Sequence, residues 1–341
     1  MRNGKYGCAV WGCGWVASGH LNAYLKNPAC EIVAIGSRSP ASIQAKQLEF
    51  GLQCRACTDF DQILNAPDVD IVSICTPNNQ HAAEAIRAAR AGKHIFVEKP
   101  IAIREDDIPA MLAATADNRV RSLVAFILRF KPLVNLQKKL VGEGELGKVF
   151  MANVDYWFGR ERKGWMKHQE QTGGAFILAG CHSVDMARYI LDSDIVEVTA
   201  ASATVGDYYD YPPVETAQVK FANGALGVFT CSLVGCNPYT ANLSILGEHG
   251  TIVNDQFYLR RFAGQKEFFT LDTGTKKSGD VYDHPFPEMV QHLVECIRDE
   301  KESPHNLQSA VNAHMACIAI CQSARQNGRK IVLEGTRLIC P

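Results

Sequence analysis

The stretch from Tyr6 to Asn27 constrains this chain more than any other. A short apolar run, Tyr6 to Val10, ends in Gly12-Cys13-Gly14-Trp15-Val16-Ala17, and a helix-like segment continues from about Val16 to Asn27. Strand, G-x-G-x-x-A turn and helix in that order begin a parallel β-α-β unit. Gly12 permits the tight turn, Gly14 lets backbone approach an anion such as a pyrophosphate, and Ala17 keeps helix and strand close. The unsatisfied N–H groups at the helix N-terminus favour the same anion. Glycine turns are common, but this one has its strand, its helix and a second strand, Glu31 to Gly36, at the proper distance. Gly12, Cys13, Gly14, Trp15 and Val16 are therefore the expected dinucleotide-binding turn.

The alternation continues. Strand-like segments at Asp68 to Cys75, His94 to Val97 and Ser122 to Phe126 are separated by helical patterns at 41–50, 80–91 and 105–117. Strands spaced by helices of this length pair in parallel through right-handed crossovers, which gives a doubly wound α/β Rossmann domain over residues 1–124. Beyond Arg129 the pattern changes. Short β-like segments follow one another at 148–157, 195–205, 214–222, 225–233, 240–247 and 257–262, with helices expected at 132–142, 176–191, 286–300 and 305–327. Residues 125–341 thus read as an α+β domain with a large, mostly antiparallel sheet, for substrate binding and oligomerisation.

Bulk composition excludes some classes. The 35 Lys and Arg nearly balance the 36 Asp and Glu without a basic block, which argues against nucleic acid or anionic membrane as a partner. No apolar run reaches the ~18 residues of a membrane span. Thirteen cysteines are scattered singly through apolar segments, as reduced buried thiols would be, which points to the cytoplasm. Cys54-x-x-Cys57 is the one close pair; it lacks the second pair a zinc site needs, and no metal is expected.

The end of the second strand bears on the choice of dinucleotide. A carboxylate there would accept from the ribose 2′-hydroxyl; the chain has Gly36-Ser37-Arg38-Ser39 instead. The Ser37 hydroxyl and Arg38 guanidinium suit a 2′-phosphate, so NADP(H) is favoured, with NAD(H) the alternative if Arg38 is only a solvated charge.

Several motifs in a fixed order carry a resemblance. Gly12-x-Gly14-x-x-Ala17, Thr76-Pro77-Asn78-x-x-His81, Glu98-Lys99-Pro100, Trp165, Gly173-Gly174…Gly180-Cys181-His182-x-x-Asp185, Asn223-Gly224 and Gly247-x-x-Gly250-Thr251 resemble the glucose–fructose oxidoreductase, inositol dehydrogenase and rhizopine-catabolism (Gfo/Idh/MocA) family across nearly the whole chain. Thr76-Pro77-Asn78 and Glu98-Lys99-Pro100 each close a strand at its carboxyl end, where open α/β sheets bind ligands. Thr76, Pro77, Asn78, His81, Glu98 and Lys99 are candidates to line the dinucleotide, with His81 alternatively a helix-surface residue. The resemblance makes Lys99 a catalytic or substrate-positioning group beside a cis Pro100; a surface pair with Glu98 is the alternative. It likewise makes His182 the acid/base group, with Asp185, one helical turn on, able to orient it.

The chain departs from the family at Leu178, where the pattern usually has an aspartate four residues before the histidine. Another polar group is then needed, and Arg129, Tyr156 and Lys167 are candidates to hold substrate hydroxyls, each also an ordinary structural residue by its type; Lys99, Trp165, His182 and Asp185 are expected to line the same substrate site. The expected activity is hydride transfer between nicotinamide and a sugar or polyol. A redox-neutral glycoside-cleaving enzyme with tightly held NAD, and a non-catalytic dinucleotide sensor, are the alternatives. The resemblance implies a homodimer or homotetramer through the second sheet.

Overall fold

Strand β1 (Tyr6–Trp11), helix α1 (Ala17–Lys26), β2 (Cys30–Gly36), α2 (Pro40–Phe50), β3 (Arg55–Cys57), α3 (Phe60–Leu64), β4 (Ile71–Ile74), α4 (Asn78–Arg90), β5 (His94–Val97), α5 (Asp107–Asp117) and β6 (Ser122–Val124) follow one another along the chain. In this computed structural model, which describes residues 4–158, 164–274 and 280–340, the six strands form one parallel sheet ordered β3-β2-β1-β4-β5-β6. Strands β4 and β5 are buried on both faces, as their continuous apolar runs require. The order reverses between β1 and β4, so the turns after those strands flank the switch point at which such sheets bind ligands.

The sequence reading missed β3 and α3. Arg55-Ala-Cys57 has no apolar run to betray it; α3 is set by a capping box in which Asp59 accepts from the backbone while Gln62 reaches back to the Asp59 N–H.

The chain divides into two compact units, one of Met1–Ala102, Asp106–Ile127 and Gly279–Ala310, the other of Ile103–Glu105, Leu128–Ser278 and Val311–Pro341. A single cut after residue 124 therefore misses one return. Helix α9 (Phe286–Arg298) belongs to the first unit, packing the apolar face Phe286, Met289, Val290 and Leu293 inward and lying against α1. Gly19 makes that approach possible: a Cβ there would lie 2.4 Å from the Phe286 ring.

The second unit contains α6 (Pro132–Gly142), β7 (Val149–Trp157), α7 (Gln169–Thr172), α8 (Cys181–Leu191), β8 (Ile195–Ala203), β9 (Val214–Phe221), β10 (Leu226–Ser232), β11 (Thr240–Gly247), β12 (Gly250–Val253), β13 (Gln256–Leu259) and β14 (Phe269–Thr270). After α10 (Leu307–Arg325), β15 (Ile331–Glu334) and β16 (Arg337–Ile339) complete a ten-stranded sheet. It is antiparallel except where β10 runs parallel to β7. Alternation is strict in β9, where Ala217, Val219 and Phe221 are buried and Thr216, Gln218 and Lys220 are not. Helix α8 packs against β7. Among the described residues no helix is long and apolar enough to cross a membrane.

Candidate active site

The turn after β1 is built as its glycines require. Gly12 has φ 100° and lies so close to β4 that a Cβ would stand 2.5 Å from the Cys75 carbonyl. Gly14 is the opposite case: nothing lies within 4 Å of the position its Cβ would take, leaving the backbone open to an approaching group. No side chain caps α1 and its first turn holds no acid, so its N-terminal field is not neutralised. Trp15 is 57% exposed, while Ala17 is fully buried against the sheet. The Cys13 thiol donates to the Gly36 carbonyl at 3.4 Å, and burial pushes it up to about 11, so it is a packing group.

At the end of β2, Ser37 is half-buried and Arg38 exposed. Sequence reasoning found no acid here, but a carboxylate arrives from α4. Glu84, buried, accepts from the Trp11 indole at 2.7 Å and the Thr76 hydroxyl at 2.5 Å. Burial raises its carboxyl above the ordinary range, against those two hydrogen bonds and the nearby Arg38 charge.

Pro77 caps α4 and Asn78 opens it, buried at 3% exposure. His81 differs from its expected role. Its ring is buried, with Nδ1 2.6 Å from the Pro100 carbonyl and Nε2 2.8 Å from the Thr76 carbonyl, so it ties two turns together rather than facing a ligand. Glu98 also differs. Its carboxylate points into the core, with Oε1 3.1 Å from His20 Nε2 and Oε2 accepting from the Lys99 backbone N–H at 3.3 Å. The surface ion pair of Glu98 with Lys99 is excluded by that burial. The Lys99–Pro100 bond is cis.

In the second unit His182 is the second residue of α8, 7% exposed, its ring 6.0 Å from that of Tyr156. The approach to α8 is a π-turn, Phe176–Gly180, entered through Gly173 (φ 86°) and Gly174 (φ 135°). Leu178 sits in that turn, buried. The polar neighbour of the histidine's aromatic flank is the hydroxyl of Tyr239, which donates to that of Tyr156 at 3.1 Å. Sequence reasoning missed Tyr239, whose only signal is its type in an irregular stretch.

Two of the residues expected at the substrate bind each other. Arg129 grips Asp185 bidentately, Nε to Oδ2 at 2.8 Å and Nη2 to Oδ1 at 2.5 Å, with 3% and 1% exposure. Both Asp185 oxygens accept from this guanidinium, so Arg129 and Asp185 are each other's partners in the core of the second unit. Trp165 and Lys167, half-buried, lie in a 3-10 turn that the 208–211 loop fastens: Asp210 N–H donates to the Lys167 carbonyl at 3.1 Å and Tyr211 Oη to the Met166 carbonyl at 2.8 Å. Tyr209 and Tyr211 are accordingly packed rather than displayed.

Residues 6–126 match the oxidoreductase family with a NAD-binding Rossmann fold, and residues 134–253 match the GFO/IDH/MocA C-terminal domain. The chain belongs to the Gfo/Idh/MocA oxidoreductase family. Relatives include an inositol 2-dehydrogenase of Rhizobium meliloti (strain 1021), 30% identical over 71% of this chain and 73% of that one. A scyllo-inositol 2-dehydrogenase (NAD(+)) of Bacillus subtilis (strain 168) is 27% identical over 97% of both chains. The solved levoglucosan dehydrogenase in complex with NADH and levoglucosan shares the fold at TM-score 0.85 and 24% identity, over 96% of this chain and 99% of that one. This family member is thus an oxidoreductase with a NAD-binding Rossmann domain. Its residues fit that cofactor: Gly14 leaves room where backbone must approach the pyrophosphate, and the N-terminus of α1 is uncapped beside it.

Proposed function

We propose that this chain is an NAD(P)-dependent dehydrogenase of a sugar or polyol hydroxyl, the substrate class for which its inositol and levoglucosan relatives are named. The observation that carries the reading is the placement of Gly12, Gly14, Thr76, Asn78 and Lys99 in the turns at the carboxyl ends of three adjacent strands, β1, β4 and β5. Gly12, Cys13, Gly14, Trp15 and Val16 would hold the pyrophosphate, and Thr76, Pro77 and Asn78 would line the ribose and nicotinamide side. When bound, the dinucleotide would supply the hydride acceptor or donor. Lys99 Nζ then donates to the reacting oxygen and stabilises its developing charge. His182 takes or returns the hydroxyl proton. The Tyr239–Tyr156 hydroxyl pair, with Trp165 and Lys167, replaces the polar contacts that Leu178 does not supply.

Ser37 and Arg38 favour NADP(H) over NAD(H). The outer face of the second sheet, where Leu226 is 53% and Val228 45% exposed, is the assembly surface of a homodimer or homotetramer, and the cysteine-rich chain works in the cytoplasm. Leu178 favours one second reading, redox-neutral cleavage of a glycoside through a transiently oxidised sugar. Incubation with NAD⁺ or NADP⁺ and a panel of inositols, aldoses and glycosides tests both. Steady accumulation of reduced nicotinamide supports the dehydrogenase; sugar released from glycosides without such accumulation supports the second reading. Dinucleotide bound with neither product contradicts both.

A further inference from the structure

A chain of buried polar side chains runs behind Lys99 through the first unit. The Tyr24 hydroxyl lies 2.8 Å from Ser73 Oγ, Ser73 Oγ 2.9 Å from His20 Nδ1, and His20 Nε2 3.1 Å from Glu98 Oε1. None of the four is more than 6% exposed. Such groups are expensive to bury unless each finds a partner. Here one assignment of hydrogens satisfies them all: Tyr24 donates to Ser73, Ser73 to Nδ1, Nε2–H to Glu98 Oε1, and the Lys99 backbone N–H to Glu98 Oε2 at 3.3 Å. Burial pushes the Tyr24 phenol well up, which keeps it a donor. Burial alone would raise Glu98 too, but the hydrogen bond from His20 and the neighbouring Lys99 charge hold its carboxyl below the ordinary value. The His20 ring is fixed from both sides by Phe96 and Phe286, at 4.3 and 4.6 Å between ring centres.

Packing alone would be served as well by an apolar side chain at each of these positions. What the polar chain adds is an aimed carboxylate at one end of the turn that carries Lys99. At the other end of that turn the Pro100 carbonyl faces His81 Nδ1 at 2.6 Å. The Lys99-Pro100 segment is thereby gripped at its N–H and at its C=O.

We propose that His20 and Glu98 are positioning residues for Lys99: His20 aims the Glu98 carboxylate, and the carboxylate fixes the Lys99 backbone from which the ammonium reaches the reacting oxygen. This rests on the reading of Lys99 as the group that contacts that oxygen. Neither residue touches substrate or dinucleotide in this scheme.

The two ring nitrogens of His20 have different partners, which gives a test that space-filling would fail. His20→Gln keeps a donor near the Nε2 position, toward Glu98. His20→Asn keeps a polar atom near Nδ1, toward Ser73 only, and His20→Phe keeps bulk alone. In [¹⁵N]lysine-labelled protein, Lys99 amide exchange is read beside that of Lys93, together with dinucleotide affinity by tryptophan fluorescence and turnover with myo-inositol as probe. His20→Gln is expected to leave Lys99 exchange and kcat within about threefold of the parent, whereas His20→Asn and His20→Phe speed exchange and lower kcat by about tenfold or more, with dinucleotide affinity and Lys93 little changed. Ser73→Ala, a milder change, should lie between. Equal behaviour of the three His20 variants, or exchange at Lys99 that follows only the melting temperature, would overturn the proposal. Absence of turnover in the parent counts against the dehydrogenase reading, and the exchange result still decides this one.

Discussion

The turn that carries Lys99 and the turn that leads into His182 hold their side chains by different means. Around Lys99 the backbone is fixed by charge and hydrogen bonds: Glu98 on the N–H, His81 at the next carbonyl, and the buried His20–Ser73–Tyr24 chain behind. Before His182 it is fixed by shape. Two glycines at positive φ admit the chain, and Gly180 leaves room for Phe176, whose ring would stand 2.4 Å from a Cβ there. One buried carboxylate, Glu215, accepts the Phe176 N–H at 2.9 Å. A closed pair, Arg129–Asp185, braces α8 from within. The polar turn draws on a side chain 78 positions away, whereas the shaped turn is set largely by the glycines and Phe176 of its own stretch, Gly173 to Gly180.

That contrast can be broken first at the Arg129–Asp185 pair. Asp185→Ala strands a buried guanidinium and is expected to destabilise the protein by about 3–5 kcal/mol, while Arg129→Met with Asp185→Leu recovers much of the loss. Urea unfolding of the two variants beside the parent measures this. If Asp185→Ala loses activity with stability intact, Asp185 serves the chemistry after all and the bracing role is wrong.

Glu215 comes next. Glu215→Ala leaves the Phe176 N–H without its acceptor, a cost of about 1–3 kcal/mol. Burial raises the Glu215 carboxyl above its ordinary 4.5, against the Phe176 N–H, the Cys321 thiol and the Arg325 charge. A raised folded-state pKa means that its contribution is whole below 4.5 and is lost as pH rises through the folded value. Glu215→Gln removes that dependence, so its melting temperature should gain on the parent's with rising pH. A constant difference from pH ~4 to ~8 would show that the carboxyl titrates normally.

The smallest effect is expected at Arg38, an exposed side chain. Arg38→Ala should weaken NADP(H) binding by about tenfold and leave NAD(H) within about threefold, read by quenching of tryptophan fluorescence. Equal losses for both dinucleotides would remove Arg38 from the choice of cofactor, and Glu84 would then be the acid to test.

The same contrast explains what the sequence disclosed. The Rossmann order, the G-x-G-x-x-A turn and the strand-end positions of Thr76 and Lys99 were legible because periodicity and short motifs are local. Strand β3 was not, since a three-residue edge strand has no periodicity. The return of α9 to the first unit was hidden because only tertiary packing of Phe286 on α1 reveals it. The partner of Asp185 was hidden for a similar reason: three residues from His182 it suits an orienting role, and only the fold reveals Arg129, 56 positions away, on its oxygens. His20 and Tyr24 were invisible as a pair until β4 and β5 brought Ser73 and Glu98 beside them.

Reduced nicotinamide formed from a polyol by the parent, Lys99→Met and His182→Asn, with dinucleotide affinity measured on each, bears most directly on the chemistry assigned to the two turns. Both variants should bind dinucleotide within about threefold of the parent and form reduced nicotinamide slower by about 10²–10⁴-fold. Near-parental rates in either variant would contradict the role given to that residue.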